Sequence, residues 1–253
     1  MKILLSLSLL FSFSVFADDH EGDKPMYAPN VAEYYVSKFK DGKDMDDMMK
    51  WAVKWEKWAT TGDAAEANAD YSASMLVPYY GVNLDSADLI WLGINSNPEM
   101  QAIGNDYWVN NGSKLLAELP VTTPQVINTW QRTVSETPDG TAGYVVYQDC
   151  TYGEDVTGEQ HYDAYFAFAQ AAKELGDVAG RKLIWPTMGV TPGWDYDYVQ
   201  AVFTSSITDY GKNWTNFWSG KAQEMPEWKA LNDLGGECEN QRSFTIVPVK
   251  SAS

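Results

Sequence analysis

A stretch of Pro-x-x-Gly-Val occurs twice in this chain, each time between two strand-like apolar runs. In the first copy Pro78-Tyr79-Tyr80-Gly81-Val82 precedes Leu89-Ile90-Trp91-Leu92-Gly93-Ile94. In the second, Pro186-Thr187-Met188-Gly189-Val190 precedes Tyr198-Val199-Gln200-Ala201-Val202-Phe203. Further along, Gly104-Asn105-Asp106-Tyr107 with Ser113-Lys114 is echoed by Gly211-Lys212-Asn213-Trp214 with Gly220-Lys221. Each half then closes with a Gln-Arg pair, Gln131-Arg132 and Gln241-Arg242. The matches keep their order at an offset of about 108 residues, far longer than the roughly 20–50-residue unit of a solenoid. Such a duplication implies two paired copies of one unit.

Hydrophobic periodicity gives the same order of elements in both halves. In the first, Tyr34–Phe39 reads as a strand, and Asp44 opens a helix whose Met48, Trp51, Trp55 and Trp58 share one face. Strands follow at 74–80 and 88–94, then a helix from Pro98 to about Leu119 and a last strand over 125–134. In the second, a strand over 144–151 precedes a helix over 160–175 with Tyr165, Phe168, Ala172 and Leu175 on one face. Strands over 181–188 and 197–205, a helical region from Asp209 to about Leu234 and a strand over 243–249 complete it. Each half is β-α-β-β-α-β, the ferredoxin-like order. The expected fold class is therefore α+β, with one unit over 31–137, a second over 141–250, and the Pro138-Asp139-Gly140 turn between them.

The two cysteines test this topology. Cys150 ends the first strand of the second unit and Cys238 precedes its last. The ferredoxin-like order makes those strands antiparallel neighbours, so the cysteines meet and a disulfide is expected. The alternative is a pair of buried free thiols. No Cys-x-x-Cys spacing supports a redox role.

Two such units facing each other resemble the dimeric α/β-barrel superfamily, which includes antibiotic-biosynthesis-type monooxygenases, muconolactone-isomerase-like proteins and stress-responsive barrel proteins. The resemblance rests on element order and duplication over nearly the whole chain after its first 30 residues, with no signature motif. It implies that one chain builds a complete barrel, so that a monomer already holds it. It carries no catalytic residue over, because the superfamily's activities share none and fold does not fix function.

The N-terminus has the grammar of export. Met1-Lys2 is followed by an apolar, Ser-rich core to Phe16 and a small residue, Ala17, before the acidic run Asp18-Asp19-His20-Glu21. We read 1–17 as a signal peptide cleaved after Ala17 and 18–30 as a flexible acidic lead, which places the protein in the periplasm or outside the cell. Losing Lys2 leaves one basic residue fewer than the 18 Lys and Arg of the full chain, against 35 Asp and Glu. A field of that sign argues against nucleic acid and anionic membrane surfaces as partners.

Candidate chemistry is sparse. His161, at the start of a helix face, suits a general base, a haem ligand or a first-turn structural residue. Trp51 and Trp55 with Trp58 suit either simple core or the wall of a cavity for an aromatic or lipidic ligand, and Tyr165 belongs to the equivalent face. Arg132 and Arg242 suit anchoring a carboxylate or pairing with an internal acid. The loop Trp194-Asp195-Tyr196-Asp197-Tyr198 reads as a contact surface for sugars or peptides, or as an acidic hairpin tip. Asp41, Asp44, Asp46 and Asp47 lack calcium-loop spacing and are explained by a helix N-terminus. No metal site and no cofactor are expected. Three functions stay open: an exported binder of an apolar or aromatic small molecule in a barrel cavity, a cofactor-independent monooxygenase- or isomerase-type enzyme, and a non-catalytic structural or interaction protein.

Overall fold

A computed structural model of the protein describes residues 27–81 and 84–252. The signal-peptide reading of 1–17, and most of the acidic lead, lie outside them. The chain is an α+β protein built on a closed eight-stranded antiparallel barrel. Its strands are β1 (Asn30–Phe39), β2 (Ser72–Tyr80), β3 (Leu89–Asn95), β4 (Val121–Ser135), β5 (Tyr144–Tyr152), β6 (Gly180–Met188), β7 (Tyr198–Thr204) and β8 (Gly236–Lys250). Around the ring they run β1-β3-β2-β8-β5-β7-β6-β4. The first four strands and the last four thus follow the same internal order, and the halves join at two seams, β2 with β8 and β4 with β6.

The helices lie outside the ring. The first half carries α1 (Met45–Ala59), α2 (Asp63–Ala67), α3 (Pro98–Asn111) and α4 (Ser113–Glu118); the second carries α5 (Gly158–Glu174), α6 (Ile207–Trp218), α7 (Lys221–Glu224) and α8 (Pro226–Asp233). Their starts follow from local chemistry. The Asp44 carboxylate accepts from the Asp47 N–H at 3.1 Å, so it caps α1. Thr157 and Gln160 form a reciprocal capping box at α5. The helix expected from Pro98 to about Leu119 breaks at Gly112, and its second-half counterpart breaks at Gly220. The short α2 carries no apolar stripe long enough to announce it.

Strand alternation divides the side chains into three cores. Inward-facing residues such as Leu76, Val145, Tyr147, Ile184, Val199 and Phe244 fill the barrel. At its centre Tyr34 of β1 and Tyr147 of β5 meet edge to face, ring centroids 6.2 Å apart. Outward-facing residues pack under the helices, with the tryptophans of α1 in the first half and Tyr162, Tyr165, Phe166 and Phe168 of α5 in the second. Tyr27 packs against this last cluster, and Asn30 pairs with Gln131, so the end of the acidic lead is anchored by the β1–β4 ladder.

Cys150 and Cys238 face each other across β5 and β8, Cα atoms 4.1 Å apart, and are bridged by a disulfide. At the same place in the first half Ser37 and Thr123 share a hydroxyl–hydroxyl hydrogen bond at 3.0 Å.

One expected equivalence fails. Gln131 faces the barrel and Arg132 faces out, whereas Arg242 faces the barrel and Gln241 faces out. The cause is register. Arg242 lies opposite Tyr147 of β5, whereas the residue opposite the matching Tyr34 of β1 is Ile127, five positions before Arg132, and an odd offset along a strand reverses the face. Both closing strands carry an extra residue, β4 between Thr122 and Gln125 and β8 between Glu239 and Arg242, where Asn240 sits in the left-handed region with φ 54°.

Candidate functional site

Three cavities border the barrel ring and the helix layers of the described residues. One, about 420 Å³, lies outside the barrel between the second-half sheet and α5, α6 and α8. Another, about 310 Å³, is the mouth of the barrel itself. The third, about 260 Å³, is the first-half counterpart of the first.

A pair of substitutions across strands explains why the two outer cavities differ. In β1 and β3, Tyr35 pairs with Trp91, and that indole packs edge to face on Trp51 and Trp55. The corresponding pair of β5 and β7 is Gln148 and Gln200, joined by a hydrogen bond at 3.4 Å. Two amides occupy far less of the layer than an indole and a phenol. The roof above them also differs. Helix α6 turns Tyr210, Trp214 and Phe217 toward the space, yet none of its residues is buried and Trp218 is 68% exposed. An amphipathic helix is ordinarily held by burying its apolar stripe. Here part of that stripe borders an unfilled cleft.

His161 stands in this cleft's wall. It follows the Thr157 cap by one turn of α5 and is 7% exposed. Its Nε2 lies 2.9 Å from the Tyr198 hydroxyl, while its buried Nδ1 has no partner among the described residues. Burial lowers the imidazole's pKa below its ordinary value, so the ring is neutral at pH 7. Tyr152, Tyr165 and Tyr198 surround it, with ring centroids 5.4, 6.1 and 5.1 Å away. Burial pushes Tyr165 up to about 12 and Tyr198 higher still, so both phenols keep their protons. At the cleft's end Arg181 is buried and binds Asp177 through Nη1 at 3.1 Å and Nη2 at 2.6 Å. The arrangement offers aromatic walls, amide donors and acceptors, and a neutral His–Tyr pair.

The residues singled out in the sequence are not brought together. His161 and Tyr165 line the outer cleft of the second half. Trp51 and Trp55 are buried under α1 and border the small tryptophan-filled cavity of the first. Arg242 lines the barrel mouth, where it pairs with Asp149 at 2.9 Å. Arg132 borders none of these three; its guanidinium lies 3.6 Å above the Tyr162 ring, and its Nε has no partner among the described residues. The 194–198 segment is divided, with Trp194 at the barrel mouth and Tyr198, the first residue of β7, in the outer cleft. Asp197 accepts from the Tyr152 N–H at 2.7 Å, a structural role. Sequence reading passes over Gln148, Gln200 and the α6 aromatics. The first two are ordinary as residues and gain meaning only beside Tyr35 and Trp91.

No protein-family model matches the chain, and no curated protein matches it. Solved structures of similar shape include a mutant chlorite dismutase from Candidatus Nitrospira defluvii, at TM-score 0.48 and 10% identity over 88% of this chain and 93% of that one. A heme-binding protein from Thermus thermophilus gives 0.47 and 9% over 87% and 91%. An anthrone oxidase-like protein gives 0.42 and 11% over 89% and 94%. At these scores the likeness bears on neither activity nor ligand.

Proposed function

We propose that the protein is an exported binder of a small, ring-bearing apolar molecule, held in the outer cleft beneath α6. The observation that carries this reading is α6 itself: Tyr210, Trp214 and Phe217 border a space of about 420 Å³ that no side chain among the described residues fills. That volume lies within the roughly 300–1,000 Å³ range of small-molecule pockets, which are mostly apolar with a few placed polar groups. His161 beside Tyr198, and Gln148 beside Gln200, supply those groups. In this reading the halves are two ferredoxin-like units, 31–137 and 141–250, descended from one ancestor. The second lost the tryptophan that plugs the first and so acquired the site. The signal-like N-terminus places the binder in the periplasm or outside the cell. Kinship with the antibiotic-biosynthesis monooxygenases rests on element order and duplication.

Mass spectrometry of natively purified protein tests the reading, followed by thermal-shift screening with flat aromatics, quinones, fatty acids and haemin. Haemin is included because the imidazole nitrogen Nδ1 has no partner among the described residues and Tyr198 would orient the ring through Nε2. Binding should vanish in Val202→Trp, which fills the cleft from β7. Empty protein with no shift across the panel, or binding that survives Val202→Trp, sinks it. The His161–Tyr198 pair also favours a second reading, proton transfer to or from the bound molecule. That reading requires turnover of a retained ligand, lost in His161→Phe while binding persists.

A further inference from the structure

The barrel mouth is a cavity of a different character from the outer cleft, and it is assembled by all eight strands. Much of its wall is apolar: Val36, Ile90, Ile127, Ile184 and Val199 face the space from β1, β3, β4, β6 and β7, beside the Tyr34, Tyr147 and Phe244 rings. Into that wall β5 and β8 set a full pair of opposite charges side by side, with Arg242 Nη2 2.9 Å from Asp149 Oδ1. Removing charge from water is costly unless it is paired, and pairing explains why the two tolerate the site. It does not explain why they occupy the barrel, since an apolar pair would close it at lower cost.

The chain fixes this pair with some care. Arg242 faces inward opposite Tyr147, and the bulge residue Asn240 holds both partners. Its carbonyl accepts from Arg242 Nη1 at 3.0 Å, and its amide donates to Asp149 Oδ2 at 3.2 Å. The same amide reaches the Tyr196 hydroxyl at 3.0 Å, which donates to Glu239 at 2.7 Å and so ties down the loop beside the mouth. A guanidinium has five N–H donors and each carboxylate oxygen has two lone pairs, so neither partner is saturated. The Arg242 side chain is 36% exposed and reachable from the mouth.

We propose that the barrel mouth is a second binding site, taking a small zwitterion of the amino-acid class with an apolar side chain. A lone carboxylate brought to Arg242 also meets Asp149, and a lone ammonium brought to Asp149 also meets Arg242. A molecule carrying both charges on neighbouring atoms meets an opposite charge at each end. Its side chain then displaces water from the apolar wall across the cavity. About 310 Å³ is at the lower end of ligand-pocket volumes, which suits a molecule of that size. This site does not rest on the outer-cleft reading.

L-leucine is the probe, titrated by calorimetry against the full chain beside 4-methylpentanoate, which lacks the ammonium, and 3-methylbutylamine, which lacks the carboxylate. Leucine should bind, and each analogue should bind about tenfold or more weakly, as expected for loss of one charged hydrogen-bonding partner. Methyl-group NMR should show leucine contacts to Ile90 and Ile184. Arg242→Gln should weaken leucine by a similar factor, and Val202→Trp in the outer cleft should leave it unchanged. Because Arg242→Gln strands Asp149, Ile90→Trp serves as the second variant, filling the mouth while leaving the charged pair intact; it too should abolish binding. Absence of leucine binding at millimolar concentration, equal binding of 4-methylpentanoate, or loss of binding in Val202→Trp but not in Ile90→Trp overturns the proposal.

Discussion

Lys182 points into the barrel on the same face as Ile184, its ammonium 3.4 Å from the Gln131 amide oxygen. Burial pulls its pKa down from the ordinary 10.5 to about 8, only partly countered by Glu136. The unfolded chain therefore binds more protons than the native one between those two values, and stability rises with pH across that window. Below about pH 8 the cost of holding the charged form is fully present, at no more than about 3 kcal/mol. Lys182→Met should be more stable than the parent at pH 7, and the difference should shrink toward pH 10 in urea melts; a pH-independent difference would contradict this. Gly189 makes a sharper demand. With φ at +80°, a Cβ there would lie 1.8 Å from the Val126 carbonyl oxygen of β4. Gly189→Ala should cost more than about 2 kcal/mol in a urea melt, because the strained backbone and the clash act together. That glycine is visible in the sequence as part of the repeated Pro-x-x-Gly-Val, and its necessity at the β4–β6 seam explains why the motif can be read. The register of the two closing strands is not visible there. Arg242 lies opposite Tyr147, but the residue opposite Tyr34 is Ile127 and not Arg132, so the two arginines look equivalent in sequence although they face opposite sides of the wall.

Among the elements, order is legible and depth is not. Periodicity separates the strands from the helices, because alternation and the 3.6-residue stripe are properties of single segments. Whether an aromatic face looks into the barrel or into an outer layer depends on which face of which strand opposes it. That is why Trp51, Tyr165 and Arg242 lie in three different cavities. The cysteines carry further than any stripe, since their positions constrain two strands at once. Their bridge spans 88 residues of sequence and should contribute about 4 kcal/mol through the unfolded chain. The double variant Cys150→Ala, Cys238→Ala should fold and lose stability of that order in denaturant. If instead it lost less than about 1 kcal/mol, the unfolded chain would have to be compact already around that loop.

For the whole molecule, closure governs. Each half supplies four strands, and each leaves two edges that only the other half satisfies. The ring thereby removes every free sheet edge among the described residues, the feature by which open sheets aggregate. Heating should accordingly give one transition for both halves, with calorimetric and van't Hoff enthalpies equal. Two resolved transitions would mean that the seams are weaker than the halves. The last strand has a further part in this. β8 runs between β2 and β5, and Lys250 near its end donates to the carbonyls of Asn68 at 2.8 Å and Tyr71 at 2.7 Å, in the turn before β2. During synthesis, then, the first half emerges early but its β2 edge stays open until β8 follows, and the ring is unclosed for as long as β8 has not left the ribosome.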